Sequence, residues 1–348
     1  MSDGIPCIWM RGGSSKGGYF LASDLPADPA TRDPLLLRIM GSPDPRQIDG
    51  MGGASPLTSK VGVVSPSPNE EADVDYLFLQ VFVDEARVSD AQPCGNILAG
   101  IGPFAIERGL VAAEAAETKV RIRQINTGQI ATARFPTVAG RMSYEGAASI
   151  DGVPGTSVPI RLMTPAAPGR CAATFPTGEA IEEIEGIACT LVDAGMPAVL
   201  MCSDAFGLTG DEAPEEMEAN EALCAHVEKI RLAAGRRMGL GDVSEASVPK
   251  MCLLSPPSTG GRIATRCFIP RAVHRGLGVL CAVSIAAGAL RPGTTAAEVA
   301  DAVEDDDYVL EHPGGTLSLA LERNAEGGIA AAGSVRTARK LMEGRVFP

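Results

Sequence analysis

The sequence predicts an α+β protein of two similar halves, each a curved β-sheet or barrel wrapped around a central apolar helix. Two segments, 96–107 and 280–290, are apolar nearly all round, which is typical of helices buried on every side. Short apolar and β-branched runs surround both, and 40 glycines and 26 prolines supply the turns between them. A helix without a polar face has to be enclosed, and a strongly curved sheet encloses it economically.

The length predicts two domains, because 348 residues is about twice the ~150 residues of a typical domain. We expect a first domain over residues 1–182, completed by 336–348, and a second over 183–335. The polar stretch 178–186 supplies the boundary between them. The halves resemble each other in the order of their elements and not in their residues.

In the first half, alternating or apolar runs predict strands and a leucine-rich run predicts a surface helix. The order is strand 5–10, glycine-rich loop 11–17, strand 18–21, helix 30–40, Gly/Ser/Pro loop 41–59, strand 60–64, polar turn 66–73, strand 74–83, helix 96–107, and strands within 119–135 and 158–163.

The second half repeats this rhythm, with an amphipathic helix added. Its order is strand 187–192, Gly/Pro loop 193–198, strand 199–202, amphipathic helix 220–234, strands 248–254 and 262–269, apolar helix 280–290, and strands 316–321 and 328–335.

The charge balance limits the partners. Thirty basic against 43 acidic residues give a net charge of −13, which argues against nucleic acid because such partners require a basic face. The N-terminal residues lack a signal pattern, and the apolar stretch 277–290 is too short to cross a bilayer. We therefore expect a cytoplasmic protein with no membrane partner, and a homodimer is the default assembly.

The nine cysteines are dispersed, with no Cys-x-x-Cys, and there are only three histidines. Zinc sites need clustered ligands, so no metal is expected, nor any other cofactor. Most of these cysteines are expected to be small buried hydrophobic residues in a reducing compartment.

The loop 11–17 admits two interpretations. Ser14, Ser15 and the backbone amides form an anion-binding nest flanked by Arg11 and Lys16, or the loop is an ordinary turn with a solvated lysine. A nucleophile elbow is disfavoured because a strand follows the loop, where the elbow requires a helix. A phosphate-binding P-loop fails because Gly17 follows the lysine.

Two further positions are candidates for chemistry. Cys94 precedes the first apolar helix, where a thiol gains reactivity, although a lone cysteine is more often packed. Gly95 lets a ligand approach the backbone, and Asn96 can cap the helix. Lys60 ends a loop of small residues at the start of an apolar strand. It is either an ordinary loop-edge lysine or a partly desolvated amine suited to a general base.

Several motifs in this order resemble the PrpF-like family, and the resemblance runs from residue 5 to about 343. The motifs are MRGGSSKG at 10–17, QIDGMGG at 47–53, LTSK at 57–60, DEARV at 84–88, CGNILAG at 94–100, DAGMP at 193–197, VPKMC at 248–252 and TRCFIP at 265–270.

The resemblance implies a diaminopimelate-epimerase-like fold with the active site in a cleft between the two halves. It also implies a cofactor-independent proton shift on an unsaturated tricarboxylate, 4-oxalomesaconate, in gallate or protocatechuate breakdown. Aconitate or 2-methylaconitate is the alternative substrate. The resemblance makes Lys60 the general base and places Cys94 beside the substrate, where it either donates a proton or only polarises the site.

We expect further residues to bind the substrate or shape its pocket. Those assigned to substrate binding are Arg11, Ser14, Ser15, Thr58, Ser59, Gly95, Asn96, Met196, Pro197 and Arg266. Delocalised charge on the intermediate has to fall on such fixed donors.

Two other kinds of protein remain open. A true epimerase of this fold needs a second cysteine near 276–284, and Cys281 lies off that motif, inside the predicted helix. A non-catalytic carboxylate-binding protein would bind the same ligands without exchanging their protons.

Overall fold

The computed structural model describes residues 4–91, 93–150, 152–301 and 307–348. The chain forms two compact units. The first comprises the residues up to Leu162 together with Val335–Pro348, and the second comprises Met163–Ser334.

The second unit therefore begins earlier than residue 183. Ala166 donates its backbone N–H to Ala330 at 2.9 Å, and Phe175 packs against the core of the second unit. These contacts attach residues 163–182 to the second unit. The boundary between the two units therefore falls inside the strand Val158–Pro165 and not at the polar stretch 178–186, where the composition changes.

The elements of the first unit are mostly strands. In chain order they are β1 (Ile5–Gly12), β2 (Ser15–Leu21), α1 (Pro29–Met40), β3 (Lys60–Pro66), β4 (Val74–Val81), β5 (Val88–Ser89), α2 (Gly95–Leu98), α3 (Ile101–Glu107), β6 (Glu117–Gln124), β7 (Ile130–Val138), β8 (Arg141–Met142) and β9 (Val158–Pro165), with short 3₁₀ helices at Ala22–Asp24 and Pro56–Thr58.

The second unit has more helix. Its elements are β10 (Glu182–Ile184), β11 (Ile187–Asp193), β12 (Pro197–Cys202), α4 (Pro214–Ala219), α5 (Glu221–Arg237), β13 (Lys250–Ser255), β14 (Ile263–Phe268), α6 (Val279–Ala289), α7 (Thr295–Val299), β15 (Asp307–His312), β16 (Gly315–Arg323) and the first part of β17 (Ile329–Val346), with a 3₁₀ helix at Ser203–Phe206. From Val335 onward β17 belongs to the first unit.

Strand pairing closes the first unit into a barrel. Successive pairs run β1–β2, β2–β3, β3–β4, β4–β6, β6–β7, β7–β9, β9–β17 and β17–β1. β2 and β3 are parallel, as are β4 and β6, while the β1–β2 and β3–β4 pairs are antiparallel. The predicted curved sheet is therefore confirmed.

The predicted apolar helix lies at the centre of this barrel but is broken in two. Ile97, Ile101 and Phe104 are fully buried and pack with the inward side chains of the strands. Pro103 has no N–H to donate to the carbonyl of Ala99. The N–H of Gly100 is donated to the carbonyl of Ile97, three residues earlier, at 3.0 Å. This tighter turn separates α2 from α3.

In the second unit, α6 is the buried apolar helix. Its residues from Cys281 to Gly288 are all buried, and they pack against β11, β12 and β16. The amphipathic helix α5 buries Leu223, Val227 and Ile230 in a separate core. This core includes strand side chains that do not belong to the core around α6. The α+β class with one enclosed helix per unit is thus confirmed.

Several local expectations were wrong. The loop predicted at 11–17 is almost entirely strand, with only a tight turn at Gly13 and Ser14. Gly13 takes φ +54° there, a conformation that favours glycine. Gly12 and Gly17 lie in the strands, where a Cβ would collide with the backbone oxygens of Asn96 and Lys60. β5, β8, β10, α4, α7 and β15 were not predicted. Of these, β5, β8 and β10 are only two or three residues long and show no period.

Among the described residues, no helix combines the length and apolar character needed to cross a membrane.

Glu311 anchors a loop of the second unit. Its side chain is 4% exposed and accepts backbone N–H groups from Ser258, Thr259 and Gly261 at 2.9, 2.7 and 2.7 Å. These hydrogen bonds outweigh the effect of burial and lower the pKa of Glu311 to about 2.

We predict that Glu311→Gln lowers the free energy of unfolding by roughly 3 kcal/mol at pH 7. The folded pKa is depressed, so this stability is present above the unfolded value near 4.5 and is lost as the pH falls toward 2. Urea unfolding at pH 7, 4 and 3 should show the two proteins converging. A constant difference across that range would contradict the assignment.

Candidate active site

Lys60 lies at the inner face of the barrel, at the end where α2 begins. It opens β3 and stands opposite Gly17 on one side and Gln80 on the other. Two residues further on, the Gly62 position faces Ile97 and Ile101 of the central helix segments. Side chains alternate along a strand, so Lys60 points to the same inner side. It is 8% exposed, which rules out an ordinary solvated loop lysine.

Two side chains fix the amine of Lys60. Its Nζ donates a hydrogen bond to Oε1 of Gln80 at 2.7 Å and lies 5.1 Å from the centre of the Phe78 ring. Both contacts hold the amine at the inner face of the barrel.

Gln80 is a site residue that the sequence did not reveal. Its Nε2 donates to the carbonyls of Pro56, Ser59 and Val81 at 3.2, 3.1 and 3.1 Å. These bonds fix the orientation of the amide, so its oxygen has to face Lys60. The only sequence signal was a polar residue on the inward face of a strand.

Thr58 and Ser59 act within their own loop. Thr58 donates its hydroxyl to the carbonyl of Ser55 at 3.1 Å. Ser59 is fully buried, and its hydroxyl lies 2.7 Å from Oε1 of Gln47 and 3.0 Å from the Ser55 carbonyl. In this structure both hydroxyls hold the loop that precedes Lys60, and their assignment to substrate stays a prediction. Gln47 is a second organising residue that was missed.

The β1–β2 turn contacts the start of α2. Nδ2 of Asn96 donates to Oγ of Ser14 at 3.1 Å and to Oγ of Ser15 at 3.2 Å. Both hydroxyls act as acceptors in these bonds, so their own protons are available for an anion. A Cβ at Gly12 would lie 2.4 Å from the Asn96 carbonyl oxygen. The two serine hydroxyls and the start of α2 are thus brought together, and this close approach requires glycine at position 12. The amide of Gly13 is donated to the Thr337 carbonyl at 2.8 Å, and anion binding by the turn stays a prediction.

Cys94 is the N-cap residue of α2, half-buried, and its side chain makes no capping hydrogen bond. The expectation that Asn96 caps the helix was wrong, because its amide is turned toward the serines. Beside Gly95 there is open space, with no atom within 4 Å of a Cβ placed there. The backbone at this point is thus accessible to a ligand.

Two buried tyrosines support this end of the helix. Tyr19 donates its hydroxyl to the Ile97 carbonyl at 2.9 Å, and Tyr76 donates to the Cys94 carbonyl at 3.4 Å. Burial raises the pKa of both phenols well above the usual value. They remain neutral donors that position the backbone.

Arg11 holds the turn from the side. Its Nη1 donates to the Gly13 carbonyl at 2.9 Å, and to the carbonyl and hydroxyl of Thr337 at 3.0 and 2.8 Å. Burial lowers the pKa of this guanidinium, and the nearby charge of Arg339 adds to the shift. The structure therefore gives Arg11 a positioning role.

Three predicted site residues belong to the second unit. The Met196 carbonyl accepts the Ser284 hydroxyl at 2.7 Å, and Pro197 opens β12. Arg266, half-buried on β14, donates Nε to the Glu212 carbonyl at 2.9 Å and Nη1 to the Thr265 carbonyl at 3.1 Å.

The dispersed cysteines of the second unit include an unexpected cluster. The sulfurs of Cys252, Cys267 and Cys281 all lie within 4.8 Å of one another and all three residues are buried. Hydrogen bonds among the thiols and burial raise the pKa of Cys252. Cys281 lies inside α6, as expected, and not at the position before the helix that a second epimerase thiol would occupy.

A family model described as "PrpF protein" matches residues 3–348. The chain belongs to the PrpF family. The resemblance carried by the eight motifs is confirmed, and it extends over the whole described chain.

Two relatives are similar along their full length. One, from Novosphingobium sp. strain KA1, is named (4E)-oxalomesaconate Delta-isomerase and is 56% identical, covering 99% of this chain and 98% of the relative. The other, from Pseudomonas putida KT2440, is named 4-oxalomesaconate tautomerase and is 52% identical, covering 98% and 95%.

A solved structure has the same fold. The crystal structure of a methylitaconate-delta-isomerase matches with a TM-score of 0.80 and 33% identity, covering 98% of this chain and 95% of that one. These PrpF-family relatives are isomerases or tautomerases, and so is this chain.

Replacement by alanine should affect the free energy of unfolding very differently at two glycines of the site. At Gly13, with φ +54° and a Cβ 2.2 Å from Oδ1 of Asn96, alanine should cost about 2 kcal/mol of unfolding free energy or more. At Gly95, where the space is open, alanine should change it by less than about 0.5 kcal/mol. Urea unfolding of both variants checks this, and equal losses would contradict the assigned packing.

Proposed function

We propose that this chain isomerises 4-oxalomesaconate by a cofactor-independent 1,3-proton shift. The observation that carries the proposal is the buried Lys60 amine, fixed by Gln80 beside the start of α2. The high identity to an oxalomesaconate isomerase and an oxalomesaconate tautomerase supports the choice of substrate.

Lys60 takes the proton. The C–H bond next to the unsaturated dicarboxylate breaks, an N–H bond forms on Nζ, and the electron pair spreads into the conjugated system as a dienolate. The hydrogen bond to Gln80 uses one N–H, which leaves the nitrogen lone pair of the unprotonated amine for the substrate. The ammonium formed is stabilised over the Phe78 ring and returns its proton at the other end of the allylic system.

The dienolate carries charge that fixed donors must accept. The free hydroxyl protons of Ser14 and Ser15, and the backbone N–H groups at Gly95 and Asn96, supply these donors. Such preorganised donors act without reorganisation during the reaction, and each is worth about 3 kcal/mol. In the second unit we assign Arg266 to a substrate carboxylate, and Met196 and Pro197 to the wall of the pocket.

Cys94 polarises the site and does not carry the transferred proton. The thiol is half-buried, beside the open space at Gly95. A single base that both removes and returns a proton completes an allylic shift on one face, so no second acid is required.

Aconitate or 2-methylaconitate is the second candidate substrate. Two relatives named 2-methyl-aconitate isomerase support it less strongly, since they are 37% and 35% identical against 56% for the oxalomesaconate isomerase. Turnover of a panel of these acids by the same preparation separates the two candidates.

We further infer a cytoplasmic enzyme of aromatic-acid breakdown. The nine cysteines are all free, which is typical of a reducing compartment. The unsaturated oxo-tricarboxylate substrate is the kind of product that opening an oxidised aromatic ring leaves.

We predict that Lys60→Met lowers proton exchange from 4-oxalomesaconate into D2O by roughly 10² to 10⁴, the usual contribution of a general base. Methionine retains the apolar stem and removes the amine. NMR of the substrate in D2O measures the exchange, with Lys119→Met as the matched control, because Lys119 is an exposed lysine of the same unit.

Full exchange by Lys60→Met would overturn the lysine as base and return attention to Cys94. Binding without any exchange in the wild type would identify a carboxylate-binding protein. Exchange on aconitate alone would keep the mechanism and change the substrate.

For Cys94→Ala we predict that C–H exchange persists and that isomerisation falls about tenfold, as expected from losing one hydrogen bond of roughly 1.4 kcal/mol. Parallel NMR measurements of exchange and of product formation test this. If exchange continues while product formation stops, Cys94 is the proton donor and the single-base scheme is wrong.

A further inference from the structure

Three cysteines from different elements meet in the core of the second unit. Cys252 lies on β13 directly opposite Cys267 on β14, and Cys281 comes from α6. Their sulfurs all lie within 4.8 Å of one another. The dispersed spacing that predicted no metal site therefore does not describe the folded chain, in which three soft ligands converge on one point.

The spacing of these sulfurs fits a shared metal ion. A thiolate sulfur lies about 2.3 Å from the metal that it binds, so three sulfurs in a plane around one ion are about 4.0 Å apart. The sulfurs of Cys252 and Cys281 are 3.6 Å apart, which is close to this value, and the other two separations are at most 4.8 Å. An ion placed between the three sulfurs thus requires only a small movement of the side chains.

The number and the kind of the ligands select the ion. Among the described residues, no histidine, aspartate or glutamate joins the three sulfurs within that distance. Structural zinc sites require four protein ligands, whereas Cu(I) is a soft ion that prefers sulfur ligands and is satisfied by three of them. All three cysteines are buried, so solvent is a poor source of a fourth ligand.

A buried cation lies on the same face of β13 as Cys252. Lys250 is two residues earlier in the strand, and side chains alternate between the two faces of a strand. Its side chain is 8% exposed and makes no hydrogen bond or ion pair with the residues that the structure describes. Burying an unpaired ammonium is costly, and an anionic group on this face would offset that cost.

We propose that Cys252, Cys267 and Cys281 bind one Cu(I) ion through their three sulfurs. Each thiol that coordinates the ion releases its proton to solvent, and the copper stays monovalent, so no oxidant is required. Three thiolates outweigh the single charge of the ion, and Lys250 offsets part of the negative charge that remains. The bound ion connects α6 to β13 and β14. The site is independent of the isomerase reaction, in which none of these three cysteines takes part.

The test titrates the reduced protein with Cu(I) under anaerobic conditions, in competition with the coloured copper chelator bicinchoninate. We expect the wild type to bind one ion per chain. Cys267→Ala and Cys281→Ala should bind it at least about 100-fold more weakly, because losing a ligand costs more than losing a residue that only orients one. Cys189→Ala is the matched control and should bind as the wild type does, since Cys189 is also a buried cysteine of the second unit.

X-ray absorption at the copper edge identifies the ligands of the bound ion. We expect three sulfur neighbours in the wild type and in Cys189→Ala. Oxygen or nitrogen neighbours, or only two sulfurs, would overturn the proposal.

Thermal unfolding supplies a readout that does not depend on the chelator. A ligand that binds only the folded protein stabilises it, so Cu(I) should raise the Tm of the wild type and of Cys189→Ala and leave that of Cys281→Ala unchanged. Cys281→Ser, which retains the shape of the side chain, replaces the alanine variant if that protein does not fold.

Three further results would overturn the proposal. Equal copper affinity in the wild type and in Cys281→Ala would mean that the ion binds more accessible thiols, such as the half-buried Cys224. Failure of the wild type to compete with the chelator would exclude a built site. A disulfide between two of the three cysteines in place of a bound ion, detected by mass spectrometry, would identify a redox pair and not a metal site.

Discussion

The hydrogen bond between Lys60 and Gln80 is the interaction on which the candidate site depends. It joins β3 to β4 at the inner face of the barrel and is itself fixed by three carbonyls that the Gln80 amide contacts. A flexible lysine would lose side-chain entropy on each turnover. Here that entropy is lost once, on folding, and the amine is held ready beside the start of α2.

The enclosed helix supplies the other half of the site. Because α2 is buried inside the barrel, its first residues meet the β1–β2 turn, and Asn96 contacts both Ser14 and Ser15. Close approach requires glycine at positions 12 and 13. The same packing that stabilises the core therefore brings the serine hydroxyls and the first backbone amides of α2 together, where we propose that charge develops, and it leaves open space beside Gly95.

The sequence predicted the architecture because an all-round apolar helix permits few solutions, and the family motifs pointed to Lys60 and Cys94. Gln80 could not be found in this way, since its role arises from cross-strand register and not from any local pattern. Asn96 was assigned to a cap because capping is a local rule, whereas its actual partners are about eighty residues away in the chain. The contacts of Cys252, Cys267 and Cys281 likewise appear only when β13 pairs with β14 and α6 packs beside them.

A double-mutant cycle on Lys60 and Gln80 tests the central claim most directly. The proton-exchange rate of 4-oxalomesaconate is measured in the wild type, in Lys60→Met, in Gln80→Leu and in the double variant. If Gln80 acts only by holding the base, its loss lowers kcat with KM nearly unchanged, and the double variant is no slower than Lys60→Met alone. Losses that multiply in the double variant would show that the two residues act independently, and would contradict the account.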